Sequence, residues 1–199
     1  EHLARLVDDV LLLTTVEIDR LPLFHSAVDL AAHLPGMLPH LLQQAEAKRL
    51  TFSLDVPAEL PPVKTDPERL RQIVTALLGN AIKFTSRGGV RLEARVVTGG
   101  WMEIRVSDTG PGVRPADRER IFAPFEQICD DARTDSLNRG TGLGLTIARQ
   151  LARRLGGDIE VRDAVVMHGG GTDAGAGADA DAAAAVSPGA EFVLRLPLG

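Results

Sequence analysis

The first residues that could support chemistry are Gly79-Asn80-Ala81-Ile82-Lys83, near the end of a predicted helix. Asn80 and Lys83 are three positions apart, so their side chains lie on one face of that helix. An amide oxygen can coordinate Mg²⁺, and an ammonium group one turn further on can neutralise phosphate charge. The alternative is a pair of ordinary polar residues on a solvated helix face. This group alone therefore permits a magnesium and phosphate site without establishing one.

A second group, Asp108-Thr109-Gly110-Pro111-Gly112, directly follows a strand pattern at residues 104–107. A carboxylate at the end of a strand can accept a hydrogen bond from an exocyclic amine such as that of adenine. Gly110 and Gly112 allow positive φ angles and let a flat base approach the backbone. An ordinary Asp-x-Gly turn contains the same residues, so a plain turn is the alternative.

The third group, Arg139-Gly140-Thr141-Gly142-Leu143-Gly144, is a glycine-rich loop that leads into a predicted helix. Free backbone N–H groups and the positive end of a helix favour an anion at such a place. The loop is not a P-loop, because no Gly-Lys-Ser or Gly-Lys-Thr follows it, and no strand precedes it as in a Rossmann fingerprint. A phosphate group is the predicted ligand.

The elements that must position these groups follow from hydrophobic periodicity and turn signals. The residues Thr65-Asp66-Pro67-Glu68 predict a helix start, since they combine a capping oxygen, a first-turn proline and an acidic side chain. The predicted helices span residues 1–20, 30–48 and 143–155, and a further helix begins within residues 65–68 and ends at about residue 85. The helix at 30–48 is expected to break at Pro35 and Pro39, and a short helical piece is predicted at 116–122. The predicted strands span residues 21–25, 50–56, 90–97, 101–108, 158–162 and 191–196.

Taken together, the three groups resemble the N, G1 and G2 boxes of the ATP-binding domain of sensor histidine kinases, within the wider family that includes DNA gyrase and Hsp90. The run Asn80-Ala81-Ile82-Lys83-Phe84-Thr85 resembles the N box of these kinases specifically. Residues 121–127 resemble their F box, and residues 156–159 and 189–192 resemble their closing strands. The resemblance covers nearly the whole chain.

The resemblance implies an α+β fold, a two-layer α/β sandwich (Bergerat fold) with a mixed sheet, three main helices and a flexible ATP lid. ATP and Mg²⁺ are the implied ligands. Asn80 would bind Mg²⁺, Lys83 a phosphate and Asp108 the adenine amine, with Gly110 and Gly112 shaping the pocket. The residues implied to contact the phosphates are Arg139, Gly140, Thr141, Gly142, Leu143 and Gly144.

The resemblance also assigns the lid and its surroundings. Residues 124–139 would form the lid, with Arg133 or Arg139 as candidates to reach the γ-phosphate. Phe122 and Phe125 would anchor the lid by hydrophobic packing. Cys129 falls in this segment, and as the single cysteine of the chain it excludes an intrachain disulfide.

Two domains are expected along the chain. Residues 1–20 resemble the end of a dimerisation helix, and residues 21–199 would form the ATP-binding domain, with a disordered insertion expected at 164–188, which is rich in Ala, Gly and Asp. None of the five histidines precedes Asp or Glu, so the phosphoacceptor is expected upstream. The implied partners are a histidine-bearing dimerisation domain and a response regulator, and the parent protein is expected to be a homodimer.

Composition limits the classes of protein that remain. Hydrophobic residues make up 44% and charged residues 25% of the 199 residues, which suits a globular domain. The formal net charge of −5 gives no basic footprint, so no nucleic-acid partner is predicted. No apolar run reaches the roughly 18 residues of a membrane helix. We expect a cytoplasmic domain, and a membrane anchor in the parent protein stays open.

One departure from the family pattern lies at Ala76, one turn before Asn80, where many members carry Asn. Alanine supplies no oxygen, so we expect weaker metal coupling. The alternative function is a pseudokinase or scaffold that keeps the fold and docks partners without phosphotransfer. A serine kinase of the anti-sigma type is a third hypothesis, and the dimerisation-like pattern at residues 3–13 argues against it.

Overall fold

The computed structural model describes residues 22–126, 141–164 and 189–198. Its helices are α1 (Leu30–Gly36), α2 (Pro39–Ala47), α3 (Pro67–Phe84) and α4 (Gly144–Arg154). Its strands are β1 (Ser26–Val28), β2 (Thr51–Asp55), β3 (Val63–Thr65), β4 (Gly89–Val97), β5 (Trp101–Asp108), β6 (Asp158–Asp163) and β7 (Ala190–Pro197). Two short 3₁₀ turns, Pro115–Asp117 and Arg120–Phe122, follow β5.

Five strands form one mixed sheet in the order β2-β4-β5-β7-β6. β2 runs parallel to β4, and the other neighbouring strands are antiparallel. β1 and β3 form a separate two-stranded antiparallel sheet. The longer helices α2, α3 and α4 pack on the main sheet. This architecture confirms the predicted α+β class with a mixed sheet and three main helices.

The core lies between the helices and one face of the main sheet, because side chains alternate along each strand. On β5 the core-facing residues Met102, Ile104 and Val106 have no exposed surface. α3 contacts α2, α4, β4 and β5. The buried residues of α3 recur at helical spacing and are Leu70, Ile73, Val74, Leu77, Leu78, Ala81 and Ile82. This packing fixes the direction of the helix that ends in the predicted N box.

The outer face of the sheet, away from the helices, carries a ladder of ion pairs. Arg95 pairs with Glu93, and Arg105 and Arg195 both pair with Glu103. Arg95 lies opposite Glu103 in the register, and Glu93 lies opposite Arg105. Burial of the carboxylate acts to raise the pKa of Glu103, but its two arginine partners outweigh burial and hold that pKa below its usual value.

The start of α3 is fixed by its N-cap residue, Asp66. The side chain of Asp66 accepts hydrogen bonds from the backbone N–H groups of Glu68 at 3.0 Å and Arg69 at 3.1 Å. Its second oxygen accepts a hydrogen bond from the N–H of Phe24 at 2.8 Å. Burial alone would raise the pKa of Asp66, but these donors together hold it below the usual value.

Replacing Asp66 with alanine is expected to lower the free energy of unfolding by about 1–2 kcal/mol, because three N–H donors lose their acceptor. The pKa of Asp66 is lower in the folded state, so its stabilising effect is present above the ordinary aspartate pKa of about 3.9 and is lost as the pH falls toward the folded value. Urea melts of the wild type and of Asp66→Ala at pH 7 and pH 3 test this. A difference between the two proteins that does not shrink at pH 3 would contradict the electrostatic part of the argument.

Most predicted elements are confirmed, with small shifts at their ends. The predicted helix at 30–48 is divided into α1 and α2, and Pro39 occupies the first turn of α2, where its missing N–H costs nothing. The hairpin of β4 and β5 turns at residues 98–100, as predicted. Gly156 ends α4 with a φ of +84°.

One strand was predicted at the wrong place, one strand was not predicted, and one predicted helical piece is divided. The strand predicted at 21–25 is β1, Ser26–Val28, because the N–H of Phe24 is bonded to the Asp66 side chain instead of to a strand. Its partner β3 was not predicted, since three residues give no measurable alternation. The helical piece predicted at 116–122 consists of two separate 3₁₀ turns. The predictions for residues 1–20, for the lid from 127 onward and for the insertion lie outside the described residues.

Candidate functional site

Asp108 is the last residue of β5, and its side chain is buried. Its Oδ1 atom accepts hydrogen bonds from the N–H groups of Gly110 at 2.8 Å and Ala190 at 3.4 Å. Among the described residues, no hydrogen bond is found for Oδ2. Burial raises the pKa of Asp108, and the two backbone donors offset this effect only in part. The carboxylate thus has a second oxygen that can accept a hydrogen bond from a ligand.

The backbone after Asp108 packs too closely for residues larger than glycine. A Cβ atom on Gly110 would lie 2.9 Å from Asp108 Oδ1 and 3.2 Å from the carbonyl oxygen of Phe84. Gly112 has a φ of +73°, and a Cβ atom there would lie 3.0 Å from the carbonyl oxygen of Gly189. The loop therefore brings together the end of β5, the end of α3 and the start of β7.

The last turns of α3 carry Asn80 and Lys83. Asn80 is half-buried, and its side chain has no hydrogen-bond partner among the described residues. The ammonium group of Lys83 lies 4.9 Å from the centre of the Phe84 ring. Because the Phe84 carbonyl approaches Gly110, this end of the helix lies beside the loop that follows Asp108. The structure thus brings the first two predicted groups together.

The described part of the glycine-rich loop begins at Thr141 and leads into α4. The Thr141 hydroxyl accepts a hydrogen bond from the N–H of Leu143 at 3.2 Å. Gly142 has a φ of +73°, and its carbonyl accepts a hydrogen bond from the N–H of Phe125 at 3.1 Å. Leu143 has no exposed surface, and its N–H is already bonded to Thr141, so the structure offers no open Leu143 group to a ligand. The predicted residues Arg139 and Gly140 lie outside the described residues.

Comparison with known proteins now identifies the family. The family model described as "Histidine kinase-, DNA gyrase B-, and HSP90-like ATPase" matches residues 65–199. The chain belongs to this ATPase family. The match confirms the resemblance to the ATP-binding domain of sensor histidine kinases. The chain is an ATP-binding catalytic domain of the histidine kinase type.

Several relatives are named sensor kinases. The chain is 36% identical over 137 residues to the adaptive-response sensory kinase SasA of Synechococcus sp., covering 66% of the chain and 35% of SasA. It is 34% identical over 160 residues to the aerobic respiration control sensor protein ArcB of Escherichia coli, covering 80% of the chain and 20% of ArcB. The crystal structure of full-length ShkA in complex with AMPPNP matches with a TM-score of 0.78 and 33% identity, covering 100% of the chain and 36% of ShkA. The chain thus spans about a third or less of these proteins.

In this ATPase-family domain, the F box is attached to α4 through Phe122. The Phe122 side chain is buried, and the guanidinium group of Arg149 lies 4.5 Å from the centre of its ring. Arg149 also donates hydrogen bonds to Glu119 at 2.7 Å and Asp158 at 2.9 Å. The predicted packing of Phe125 is wrong, because its side chain is 62% exposed and only its backbone is bonded to Gly142.

Two contacts beside the candidate site of this ATPase-family domain were not recognised in the sequence. Ala190 holds Asp108 through a backbone N–H from 82 residues away. Lys48 donates hydrogen bonds to backbone carbonyls at the end of α3. A backbone donor leaves no mark on residue type, and an exposed lysine at the end of a helix is ordinary.

None of the helices in the described residues is both long and apolar enough for a membrane span.

Gly144 offers a test of the phosphate role of this loop. A Cβ atom at Gly144 would meet no heavy atom within 4 Å, so the fold has room for alanine. Gly144→Ala is therefore expected to keep or raise the free energy of unfolding, by up to about 1 kcal/mol at a helix position. Affinity for ATP is expected to fall about tenfold if phosphates approach this backbone. Thermal melts and calorimetric titrations check the two parts, and unchanged ATP affinity would contradict the phosphate role.

Proposed function

We propose that this domain binds ATP with Mg²⁺ and positions the γ-phosphate for transfer to a histidine in a helical dimerisation domain of the parent protein. The observation that carries the proposal is the buried Asp108 carboxylate, with one oxygen held by backbone and the other without a partner among the described residues, beside the end of α3. The AMPPNP complex of ShkA supports ATP as the nucleotide, because AMPPNP is an ATP analogue.

In this proposal, Asp108 selects the base. Its Oδ2 atom accepts a hydrogen bond from the exocyclic amine of adenine, while Gly110 and Gly112 leave room for the ring. A guanine base has a carbonyl oxygen in place of that amine, and this oxygen would face the carboxylate with no proton between them. The site therefore favours ATP over GTP.

The phosphates are proposed to lie between the end of α3 and the start of α4. Lys83 neutralises phosphate charge, and the backbone N–H groups of Thr141, Gly142 and Gly144 are proposed to donate to the anion, since that of Leu143 is bonded to Thr141. Arg139 and Gly140 are proposed to add contacts from the same loop. With the phosphates held this way, catalysis consists of placement and charge neutralisation.

The residues present fit a magnesium ion that binds with the nucleotide. Within the described ranges, no cluster of three or more His, Cys, Asp or Glu side chains could hold a metal by itself. Mg²⁺ commonly takes one or two protein oxygens together with nucleotide phosphates, and the amide of Asn80, which has no partner among the described residues, can supply one. The ion would neutralise phosphate charge when bound. Ala76 packs against the core one turn earlier and adds no oxygen, so we expect weak metal coupling.

The transfer step requires a partner domain. The bond between the γ-phosphorus and the β–γ bridging oxygen breaks, a bond forms from that phosphorus to an imidazole nitrogen, and ADP leaves. We propose that residues 1–20 belong to the dimerisation helix, that residues 21–199 are the ATP-binding domain with an insertion at 164–188, and that the parent protein is a homodimer. A response regulator is the proposed final acceptor.

Calorimetric titration with AMPPNP, with and without Mg²⁺, tests nucleotide binding. We expect binding that Mg²⁺ strengthens. Incubation with radiolabelled ATP and a separately produced histidine-bearing helical domain of the parent protein tests transfer, with a His→Ala form of that domain as control. Absence of nucleotide binding by a folded sample would reject the proposal and favour the scaffold alternative. Self-phosphorylation of the chain alone would contradict the proposed location of the acceptor.

A further inference from the structure

The ammonium group of Lys48 lies at the carboxyl end of α3. Its Nζ atom donates hydrogen bonds to the carbonyl oxygens of Ile82 at 2.8 Å, Lys83 at 2.7 Å and Thr85 at 3.4 Å. The last carbonyls of a helix have no partner within the helix, and the helix dipole concentrates negative charge there. Lys48 therefore satisfies these carbonyls and compensates that charge. Burial of the ammonium group lowers the pKa of Lys48.

The backbone around Lys48 is fixed on both sides. Arg49 has a φ of +58°, and the N–H of Leu50 donates to the carbonyl of Ala45 at 2.9 Å, which ends α2 in a left-handed turn. The chain then enters β2, which pairs with β4. The lysine side chain thus extends toward α3 from a rigid turn between a helix and the sheet.

The loop that follows Asp108 also contacts this end of α3. The Phe84 carbonyl approaches Gly110 so closely that a Cβ atom there would lie 3.2 Å from it. The Thr85 hydroxyl closes the helix by donating to the Ala81 carbonyl at 2.8 Å. The end of α3 that carries Asn80 and Lys83 therefore contacts both Lys48 and the loop beside the candidate adenine site.

We infer that Lys48 is a positioning residue for nucleotide binding, which holds the end of α3 so that Asn80 and Lys83 address the phosphates and Mg²⁺. The inference rests on the proposed function and deepens it. Lys48 acts through the backbone of α3, whereas Asp108 is held by β5 and β7. Loss of the Lys48 contact therefore weakens binding of the phosphates and leaves the recognition of adenine unchanged.

The test compares two ligands in matched lysine variants. Lys48→Met removes the donors and keeps an apolar stem, and Lys64→Met removes one charge from an exposed position on β3. Calorimetry gives the affinities for Mg·AMPPNP and for adenosine well below the melting temperature of each protein. For Lys48→Met we expect about a tenfold loss for Mg·AMPPNP and less than a twofold change for adenosine. Lys48→Arg is expected to recover most of the loss, and Lys64→Met to change neither affinity.

Amide hydrogen exchange of the nucleotide-free protein supplies a readout that does not depend on binding. The amides of residues 83–85 are expected to exchange faster in Lys48→Met, while those of α4 stay unchanged. Equal losses for both ligands, unchanged affinities, or unchanged exchange at 83–85 would each overturn the inference. Lys48→Gln, which keeps a neutral donor, replaces the methionine variant if that variant does not fold. If the wild type binds neither ligand, the proposed function fails. Hydrogen exchange then still tests the contact itself, because faster exchange at residues 83–85 in Lys48→Met would show that Lys48 holds the end of α3.

Discussion

Asp108→Asn is expected to lower the affinity for ATP by roughly 100-fold while the fold stays intact. The asparagine oxygen can still accept the hydrogen bonds that Gly110 and Ala190 donate to Asp108 Oδ1. Its amino group would then take the place of Oδ2 and face the adenine amine, so two donors would oppose each other. A lost hydrogen bond to a charged acceptor with groups left unpaired costs about 3 kcal/mol, which corresponds to roughly 100-fold.

The same substitution is expected to raise the free energy of unfolding at neutral pH. Burial raises the pKa of Asp108, so the folded state binds this proton more tightly than the unfolded chain does. The ionised carboxylate therefore costs folding stability once the pH rises above the ordinary aspartate value of about 3.9, and the cost is complete above the raised pKa. Asparagine has no charge and removes this cost.

Titration of AMPPNP into both proteins, with thermal melts alongside, measures the two effects. Protonation makes the carboxyl group a weaker acceptor and adds an O–H that would oppose the adenine amine, so affinity of the wild type is also expected to fall as the pH is lowered through the raised pKa of Asp108. A folded Asp108→Asn protein that binds AMPPNP within threefold of the wild type would remove Asp108 from the nucleotide site.

Gly189→Ala is expected to abolish most ATP binding and to lower the free energy of unfolding by about 3 kcal/mol. Gly189 has a φ of +38°, and a Cβ atom there would lie 1.8 Å from the backbone carbonyl oxygen of Asp108. The clash is with the backbone of Asp108, and a Cβ atom is fixed to its own backbone, so no side-chain rotation relieves it. The start of β7 must move, and with it the N–H of Ala190 that holds the Asp108 carboxylate.

Gly157→Ala is a matched control for this prediction. A Cβ atom at Gly157 would also lie 1.8 Å from a backbone carbonyl oxygen, that of Arg195, near the other end of β7. Urea melts are expected to show a comparable loss of stability in both variants, whereas AMPPNP titration at low temperature is expected to show a large loss of affinity only for Gly189→Ala. Equal losses of affinity in two folded variants would indicate a general effect of destabilisation.

Sequence predicted best those features that local chemistry determines. The Asp66-Pro67 helix start and the end of the last helix before Gly156 depend on a residue and its immediate neighbours, and both are present. The bounds of β1 and the existence of β3 were not predicted, because three residues contain too little pattern and the pairing of these strands is a tertiary contact.

The site residues divide in the same way, into those that local chemistry predicts and those that depend on tertiary contacts. Residue type and spacing selected Asp108 and the glycines after it, because a carboxylate at a strand end and a close backbone approach each demand particular residues. The partners of these residues could not be predicted. Ala190 contributes only its N–H, and Lys48 reaches across from a different helix to carbonyl groups that every residue possesses.

The charge order on the outer face of the sheet has a consequence for strand alignment. A two-residue slip of β5 along β4 keeps the same side chains on the core face, so hydrophobicity alone does not exclude it. The slip would place Glu93 opposite Glu103 in one direction, or Arg95 opposite Arg105 in the other. It would also carry Asp108 about 7 Å along the strand. Like-charge repulsion on the outer face of the sheet thus disfavours a misaligned hairpin. It thereby helps to fix the position of the Asp108 carboxylate on the opposite face.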